Sequence, residues 1–137
     1  MKINPKRYRI FIAGHTGMVG RSLKKFLEKK KFNNIITISR KKLDLRNKEK
    51  IEEFIKKKKP SIIINCAGKV GGILANSMYP TEFLDENISI QMNIIRGAYK
   101  SKVKHLINLG SSCIYPKKSK QPIKEEYILS GNLEKTN

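Results

Sequence analysis

Short apolar runs alternate along the chain with longer segments in which apolar positions recur every three or four residues. Four of the short runs have the composition of buried strands: Arg9–Gly14, Asn34–Ser39, Ser61–Gly68 and His105–Ser112. The longer segments predict helices that begin near Met18, after a capping Asn47 and at Pro80. The resulting order, β-α-β-α-β-α-β, is typical of parallel strands joined by right-handed crossover helices.

This alternation predicts the α/β class, with a Rossmann-like doubly wound parallel sheet covered by helices on both faces. Numbering the strands along the chain, we expect the order 3-2-1-4, in which strands one and four are neighbours. On the helix from Pro80 to about Lys102, the spacing predicts an inward apolar face: Phe83, Leu84, Ile88, Met92, Ile95 and Ala98. The polar stretch after Lys117 predicts no strand, so we expect residues 1–137 to be the first part of a longer sheet domain.

A glycine-rich loop, GHTGMVG, directly follows the first strand and opens the first helix. Its glycines allow a tight turn, close approach of backbone amides to a pyrophosphate, and close packing of helix on strand. The helix N-terminus adds free N–H groups and partial positive charge. We therefore assign the whole loop to dinucleotide binding and expect its histidine to pack within the loop: Gly14, His15, Thr16, Gly17, Met18, Val19 and Gly20.

The end of the second strand predicts which dinucleotide binds. An acidic residue there suits the ribose 2′-hydroxyl of NAD, whereas a basic residue suits the 2′-phosphate of NADP. Here Arg40 follows the strand, and Asp44 is the first acid after it. NADP(H) is therefore the predicted cofactor. Asp44, which is expected to cap a turn or to hydrogen-bond near the adenine, and Leu45 are assigned to cofactor binding.

The fourth strand ends in two serines and a cysteine, Ser111, Ser112 and Cys113. Ligands of open α/β sheets bind at the carboxyl ends of the strands, where the strand order reverses. With strands one and four as neighbours, these side chains would face the nicotinamide, and the loop after strand three would open on the same crevice. We assign four further residues at this crevice to cofactor binding: Ala67, Leu109, Gly110 and Ser112.

The net charge of +19 comes from 30 basic residues, of which only six are arginine. Recognition of nucleic acid would favour arginine, and aromatic residues interleaved with basic ones on one face. The lysines are instead spread over predicted helix faces and turns, so no nucleic-acid partner is expected. Cys66 and Cys113 lack metal-ligand spacing, and no apolar run is long enough for a membrane span. We expect a reduced cytoplasmic protein, with no metal and no membrane anchor.

Four segments together carry a family resemblance: FIAGHTGMVG, AGKVGGILANSMYP, NIIRGAY and LGSSCIYPKKSKQPIKE. They resemble the GDP-L-fucose synthase family, within the extended short-chain dehydrogenase/reductases that act on nucleotide sugars. The resemblance extends over essentially the whole chain. The KVGG loop and the cysteine after the serine pair are its more specific parts, because related sugar epimerases usually carry neither.

The resemblance implies an enzyme that epimerises C3 and C5 of GDP-4-keto-6-deoxy-D-mannose and then reduces C4 with NADPH. It implies that Ser111 hydrogen-bonds the keto oxygen and that Cys113 moves protons during epimerisation. The loop after strand three would then contact the substrate: Lys69, Val70, Gly71 and Gly72. The implied partners are the GDP-sugar and, at full length, a second copy of the chain.

Two departures from the family pattern are visible. Thr16 stands where many relatives have arginine, which leaves more of the 2′-phosphate contact to Arg40. The family's Tyr-x-x-x-Lys pair, which protonates the C4 oxygen and holds the nicotinamide ribose, would follow the segment Leu133–Asn137. Residues 1–137 would then be the N-terminal part of the NADP-binding domain, without the substrate domain, and inactive alone. Another nucleotide-sugar epimerase or dehydratase, or a non-catalytic dinucleotide-binding protein, remain alternatives.

Overall fold

A computed structural model describes residues 5–134 as one four-stranded parallel sheet with helices on both faces. The strands are β1 (Ile10–Ala13), β2 (Ile35–Ile36), β3 (Ile62–Asn65) and β4 (His105–Asn108). The helices are α1 (Met18–Lys29), α2 (Lys48–Lys58), α3 (Ile73–Met78) and α4 (Pro80–Lys100). The α/β class and the parallel sheet are confirmed. Lys135–Asn137, the end of the segment after which the family's Tyr-x-x-x-Lys pair is expected, lie outside the described residues.

The predicted strand order is wrong in one respect. The sheet runs β2-β1-β3-β4, so β3 rather than β4 lies next to β1. The chain turns after β2 and returns through α2 to the other side of β1, where β3 pairs in parallel with it. The order therefore reverses between β1 and β3, and this central position buries the apolar residues Ile63 and Ile64.

The two faces of the sheet carry separate cores because side chains alternate along each strand. Phe11 and Ile63 face α2 and α4, where they pack against Ile51, Ile55 and Ile94. On the other face, Ile10, Ile12 and Ile64 pack with Leu27 of α1. This two-sided burial of β1 and β3 is the reason that their sequences are almost continuously apolar.

Local signals located α2 and α4 well, although not every helix. The Asn47 side chain accepts a hydrogen bond from the Lys50 N–H at 2.9 Å, which confirms the predicted cap of α2. Lys59 caps the C-terminus of α2 in a left-handed conformation, just before Pro60. The segment predicted as a loop after β3 contains the short helix α3, which has no buried residue and hence no apolar periodicity to reveal it.

The predicted inward face of α4 is largely wrong. Its buried residues are Ile90, Asn93, Ile94, Gly97 and Ala98, which pack towards α2 and the sheet. Of the predicted set, four residues are exposed: Leu84, Ile88, Met92 and Ile95. Helix α4 carries two apolar faces, and periodicity alone does not say which one the sheet uses.

Strand β4 forms one edge of the described sheet, and Ile107 on it is 48% exposed. An exposed apolar edge strand is a template for pairing with another chain, whereas a lysine on the edge discourages it. We therefore expect Ile107→Lys to lower self-association of the purified chain, measured by light scattering at fixed concentration. Leu129→Lys is the control, because Leu129 is exposed outside the sheet. Equal aggregation of the Ile107→Lys variant and the wild type would contradict this prediction.

Candidate functional site

An open cavity of about 210 Å³ lies at the carboxyl ends of β1 and β3, where the strand order reverses. The glycine loop forms one wall, the segment after β2 forms a second, and the loop after β3 forms the third. The predicted cofactor residues that line it are Gly14, His15, Thr16, Gly17, Arg40, Asp44, Leu45 and Ala67, together with Lys69 of the predicted substrate loop. Most of the residues that line this cavity therefore belong to three motifs that are separate in the sequence.

The glycine loop depends on two close backbone approaches. Gly14 has φ of +77°, and a Cβ there would lie 2.7 Å from the backbone of Ala67. A Cβ on Gly20 would lie 2.3 Å from the Gly14 carbonyl oxygen, so α1 packs directly on the loop. The Gly17 N–H donates to the same Gly14 carbonyl at 3.1 Å, and the Arg21 guanidinium donates to the Thr16 carbonyl at 2.9 Å.

These contacts leave the start of α1 suited to a phosphate. Met18 and Val19 begin the helix, are largely exposed, and have amides that lack partners within the helix. No acidic residue occurs in the first turn of α1 to oppose an anion. The loop and the helix start therefore fit the pyrophosphate of a dinucleotide, by donor chemistry and by the room that the glycines leave.

The two walls formed by the segment after β2 and by the loop after β3 carry a cluster of charged side chains. Glu86 of α4 pairs with Arg40 at 3.0 Å, with Lys69 at 3.1 Å and with Arg46 at 3.6 Å. The hydrogen bond from Lys69 and the nearby arginines lower the pKa of the Glu86 carboxyl. Arg46 also pairs with Asp44 at 2.6 Å. Basic side chains outnumber acidic ones here, so these walls are suited to an anionic group.

Asp44 is held as a carboxylate at the cavity wall. Hydrogen bonds from the Arg46 guanidinium and backbone lower the pKa of Asp44 to about 2. Asn93, which is buried, donates to the Leu45 and Arg46 carbonyls at 3.1 and 2.8 Å. Helix α4 therefore fixes the backbone that presents Asp44 and Leu45 to the cavity.

The Asp44–Arg46 pair predicts a dependence of stability on pH. Because folding depresses the pKa of Asp44, its stabilisation is present above the unfolded pKa of about 3.9 and is lost as the pH falls towards about 2. Since the pair is partly exposed, solvent screening limits the effect to below about 1 kcal/mol. We expect Asp44→Asn to lower the urea midpoint at pH about 6, to approach wild type as the pH falls through about 2, and to match it near pH about 1. A constant difference across that range would contradict the assignment.

The loop after β3 is fixed by α4. The Lys69 N–H donates to the Asn87 side chain at 2.8 Å, and Asn87 donates back to the Lys69 carbonyl at 3.0 Å. The Lys69 ammonium lies 5.2 Å from the centre of the Phe83 ring. Val70, Gly71 and Gly72 are exposed and do not line the cavity.

Cys66 lies just beyond β3 and is half-buried against the Ile12 side of the core. It also lines the cavity, which the sequence did not indicate. Burial raises the pKa of its thiol, so it stays protonated near neutral pH.

The serine–cysteine motif follows β4 and is exposed. Ser111 Oγ accepts a hydrogen bond from the Cys113 N–H at 3.1 Å and caps a short 3-10 turn, Ser112–Ile114. The other predicted residues of this motif, Leu109, Gly110 and Ser112, are exposed as well. None of these residues lines the cavity beside the glycine loop, because β3 separates β4 from β1. His105 begins β4 at the opposite end from this motif, as predicted.

Sequence reasoning missed Glu86, which gathers the charges of the cavity wall. Its signal was present, since Glu86 lies one helical turn before the buried Ile90 on a face that packs against the sheet domain. The chain has only 11 acidic residues, and an acidic side chain on a partly buried helix face needs cationic partners. Those partners come from distant segments of the sequence, so the chain order does not display them.

Among residues 5–134, no cluster of three or more histidine, cysteine or acidic side chains could hold a metal ion. In the same residues, no helix combines the length and hydropathy that crossing a bilayer requires.

Residues 10–137 match the family model described as the NAD dependent epimerase/dehydratase family. The chain belongs to this family. The glycine loop and the cavity that it lines at the strand-order reversal both lie within the matched residues.

Individual relatives of this epimerase/dehydratase chain are nucleotide-sugar enzymes. It is 47% identical over 129 residues to GDP-L-fucose synthase of Sinorhizobium fredii and 44% identical over 135 residues to GDP-L-fucose synthase 1 of Arabidopsis thaliana. These alignments cover 94% and 98% of the chain, but 41% and 42% of the relatives. The structure of MlghC, a GDP-mannoheptose C4 reductase from Campylobacter jejuni with NADP bound, superimposes with a TM-score of 0.90 at 36% identity. That match covers 98% of this chain and 42% of MlghC, so the chain spans about two fifths of the proteins it resembles.

Proposed function

We propose that this chain is the NADP-binding, N-terminal part of an epimerase-reductase that converts GDP-4-keto-6-deoxy-D-mannose to GDP-L-fucose. The observation that carries the proposal is the cavity that joins the glycine loop to a basic wall bearing Arg40. Directly after β2, where an acid would favour an unphosphorylated ribose, the chain has the basic Arg40, and the nearby Asp44 is engaged by Arg46. The 47% identity to a GDP-L-fucose synthase supports the choice of substrate.

The cofactor residues have distinct tasks in this proposal. Amides at the start of α1 bind the pyrophosphate, Arg40 binds the 2′-phosphate, and Asp44 and Leu45 contact the adenine. NADPH, when bound, supplies the hydride that reduces the C4 keto group. The side chains of this chain position the reactants around that step and exclude water from it.

The residues after β4 serve the epimerisation. Removal of a proton next to a ketone requires a positioned base, and donors aimed at the keto oxygen stabilise the developing enolate. We assign the donor role to Ser111 and the proton-carrying role to Cys113. A thiol suits this role because it titrates nearer to neutral pH than a serine hydroxyl does. Lys69, Val70, Gly71 and Gly72 belong to a loop that contacts the sugar in this proposal.

The test compares the 137-residue chain with a chimera that adds the remaining part of the S. fredii relative. Both receive NADPH and the keto sugar, and the products are identified by NMR. We expect no GDP-L-fucose from the chain alone, because none of its tyrosines is followed four positions later by lysine. We expect GDP-L-fucose from the chimera. Product from the chain alone, or no product from a chimera that binds NADPH, would refute the proposal.

A reductase that leaves C3 and C5 unchanged is the second candidate, favoured by the likeness to MlghC. It requires the cavity but not Cys113. A chimera product reduced at C4, with the configurations at C3 and C5 retained, would support this alternative. Tightly bound NAD together with a different product would instead indicate another epimerase or dehydratase.

We also propose that the longer protein is a cytoplasmic homodimer with no nucleic-acid partner. The exposed apolar residues along α4, which include Leu84, Ile88 and Ile95, support a further protein surface there. Light scattering of the longer protein would show a single-copy mass if the dimer proposal is wrong.

A further inference from the structure

Glu86 connects two walls of the cavity. Its carboxylate binds Arg40 from the segment after β2 and Lys69 from the loop after β3, at 3.0 and 3.1 Å. The Glu86 side chain is only 15% exposed, although it lies at the cavity. The proposed 2′-phosphate ligand, Arg40, is therefore already paired with a carboxylate in this structure.

The members of this cluster differ in how firmly they are held. Asn87 fixes the Lys69 backbone in both directions, and the Phe83 ring lies beneath the Lys69 ammonium. Arg40 is 67% exposed, and its only hydrogen bond among the described residues is to Glu86. If Arg40 turned towards a ligand, Glu86 would keep Lys69 and Arg46 as partners. Glu86 can therefore release Arg40 without becoming an unpaired buried carboxylate.

A phosphate on the ribose 2′ position would meet Glu86 as a competitor. Both are anions that seek the Arg40 guanidinium, and like charges brought close together repel each other. A ribose with a free 2′-hydroxyl makes no such demand on Arg40. The cost imposed by Glu86 therefore falls on the phosphorylated ligand alone.

We propose that Glu86 is a specificity-determining residue that competes with the 2′-phosphate for Arg40 and so lowers the preference of the cavity for NADP over NAD. This inference rests on the proposed function, because it assumes that the cavity binds the adenosine half of NADP. It adds a residue that opposes the preferred cofactor, from a helix outside the predicted cofactor-binding motifs. The same carboxylate keeps Lys69 in place when Arg40 is released.

The test is calorimetric titration of the chain with 2′,5′-ADP and with 5′-ADP, in the wild type and in Glu86→Gln. Because the substitution removes one ion pair whose arginine is largely exposed, we expect Glu86→Gln to bind 2′,5′-ADP about two- to fivefold more tightly than the wild type. The gain should be smaller at high salt. Binding of 5′-ADP should stay unchanged. Glu82→Gln is the matched control, since it removes the same charge from an exposed position one turn earlier on α4. Circular dichroism checks that each variant is folded.

Arg40→Ala completes the design as a double-mutant cycle. In that background, Glu86→Gln should give no more gain than Glu82→Gln, because the contested guanidinium is gone. An equal gain with and without Arg40, or unchanged or weaker binding of 2′,5′-ADP in Glu86→Gln, would overturn the inference while leaving the cofactor assignment intact. A folded wild-type chain that binds neither nucleotide would instead refute the proposed function.

Discussion

Replacing Gly20 with alanine is expected to weaken nucleotide binding by about 10- to 100-fold and to lower the free energy of unfolding by about 2–3 kcal/mol. The added Cβ would lie 2.3 Å from the Gly14 carbonyl oxygen and 2.9 Å from the His15 Cα. Both contacts are with backbone, so no side-chain rotation relieves them. Helix α1 must move away from the loop, and its N-terminal amides move with it. Calorimetric titration with NADP⁺ and urea unfolding would measure the two effects.

Gly72→Ala is the matched control for this substitution. Gly72 precedes α3 with φ of −72°, and a Cβ there would meet nothing within 4 Å. Alanine suits such a conformation, and the less flexible unfolded chain adds about 0.4–1 kcal/mol of stability. Equal behaviour of the two variants would mean that α1 does not press on the glycine loop as described.

The glycine loop shows how far local sequence determined this site. The positions of Gly14 and Gly20 follow from a strand, a tight turn and a helix, all within about ten residues, and such signals are readable in order. The capping Asn47 is predictable for the same reason. The turn at Gly14, the contact of Gly20 with that turn and the Asn47 cap agree with the structure because each involves residues close together in the sequence, whereas the approach of Gly14 to Ala67 does not.

The order of the strands depends on a choice that no local signal displays. The chain after β2 could have continued outward or crossed back over β1, and both paths use the same α2. The consequence was large, because placing β3 beside β1 brought Ala67 and Lys69 into the cavity and left Ser111 and Cys113 one strand away. The sequence indicated which strands end in candidate site residues, but not which of those strands are adjacent in the sheet.

Long-range pairing was the other limit. The apolar pattern of α4 fits two faces, and only contact with α2 selects the one that bears Ile90 and Ile94. Glu86 takes its partners from segments 17 to 46 residues away, Lys69 and Arg40. Charge clusters of this kind follow from the assembled fold rather than from spacing along one element.

Cys113→Ser is expected to slow proton exchange at C3 and C5 of the keto sugar by about 10²- to 10⁴-fold, the range typical of a lost general acid or base. Serine preserves the shape of the side chain but raises the pKa of its acidic group far above neutral pH, so it cannot carry the proton. Exchange is measured in the chimera, in D₂O, as deuterium incorporation followed by NMR. Cofactor affinity should not change, because Cys113 is exposed and does not line the cavity.

Cys66→Ser is the control that separates thiol chemistry from thiol packing. Burial raises the pKa of Cys66, and its contacts are with the core beneath the cavity. At saturating NADPH, the Cys66→Ser chimera should keep its exchange rate, with some loss of stability from the polar hydroxyl. Because β3 separates β4 from β1, Cys113 lies apart from the cavity beside the glycine loop, and the proposed function assigns it to the sugar rather than to the cofactor. Unchanged exchange in Cys113→Ser would remove the proton-carrying role of Cys113, whereas absence of exchange in the unsubstituted chimera would remove the epimerase assignment and leave the C4 reductase as the better description.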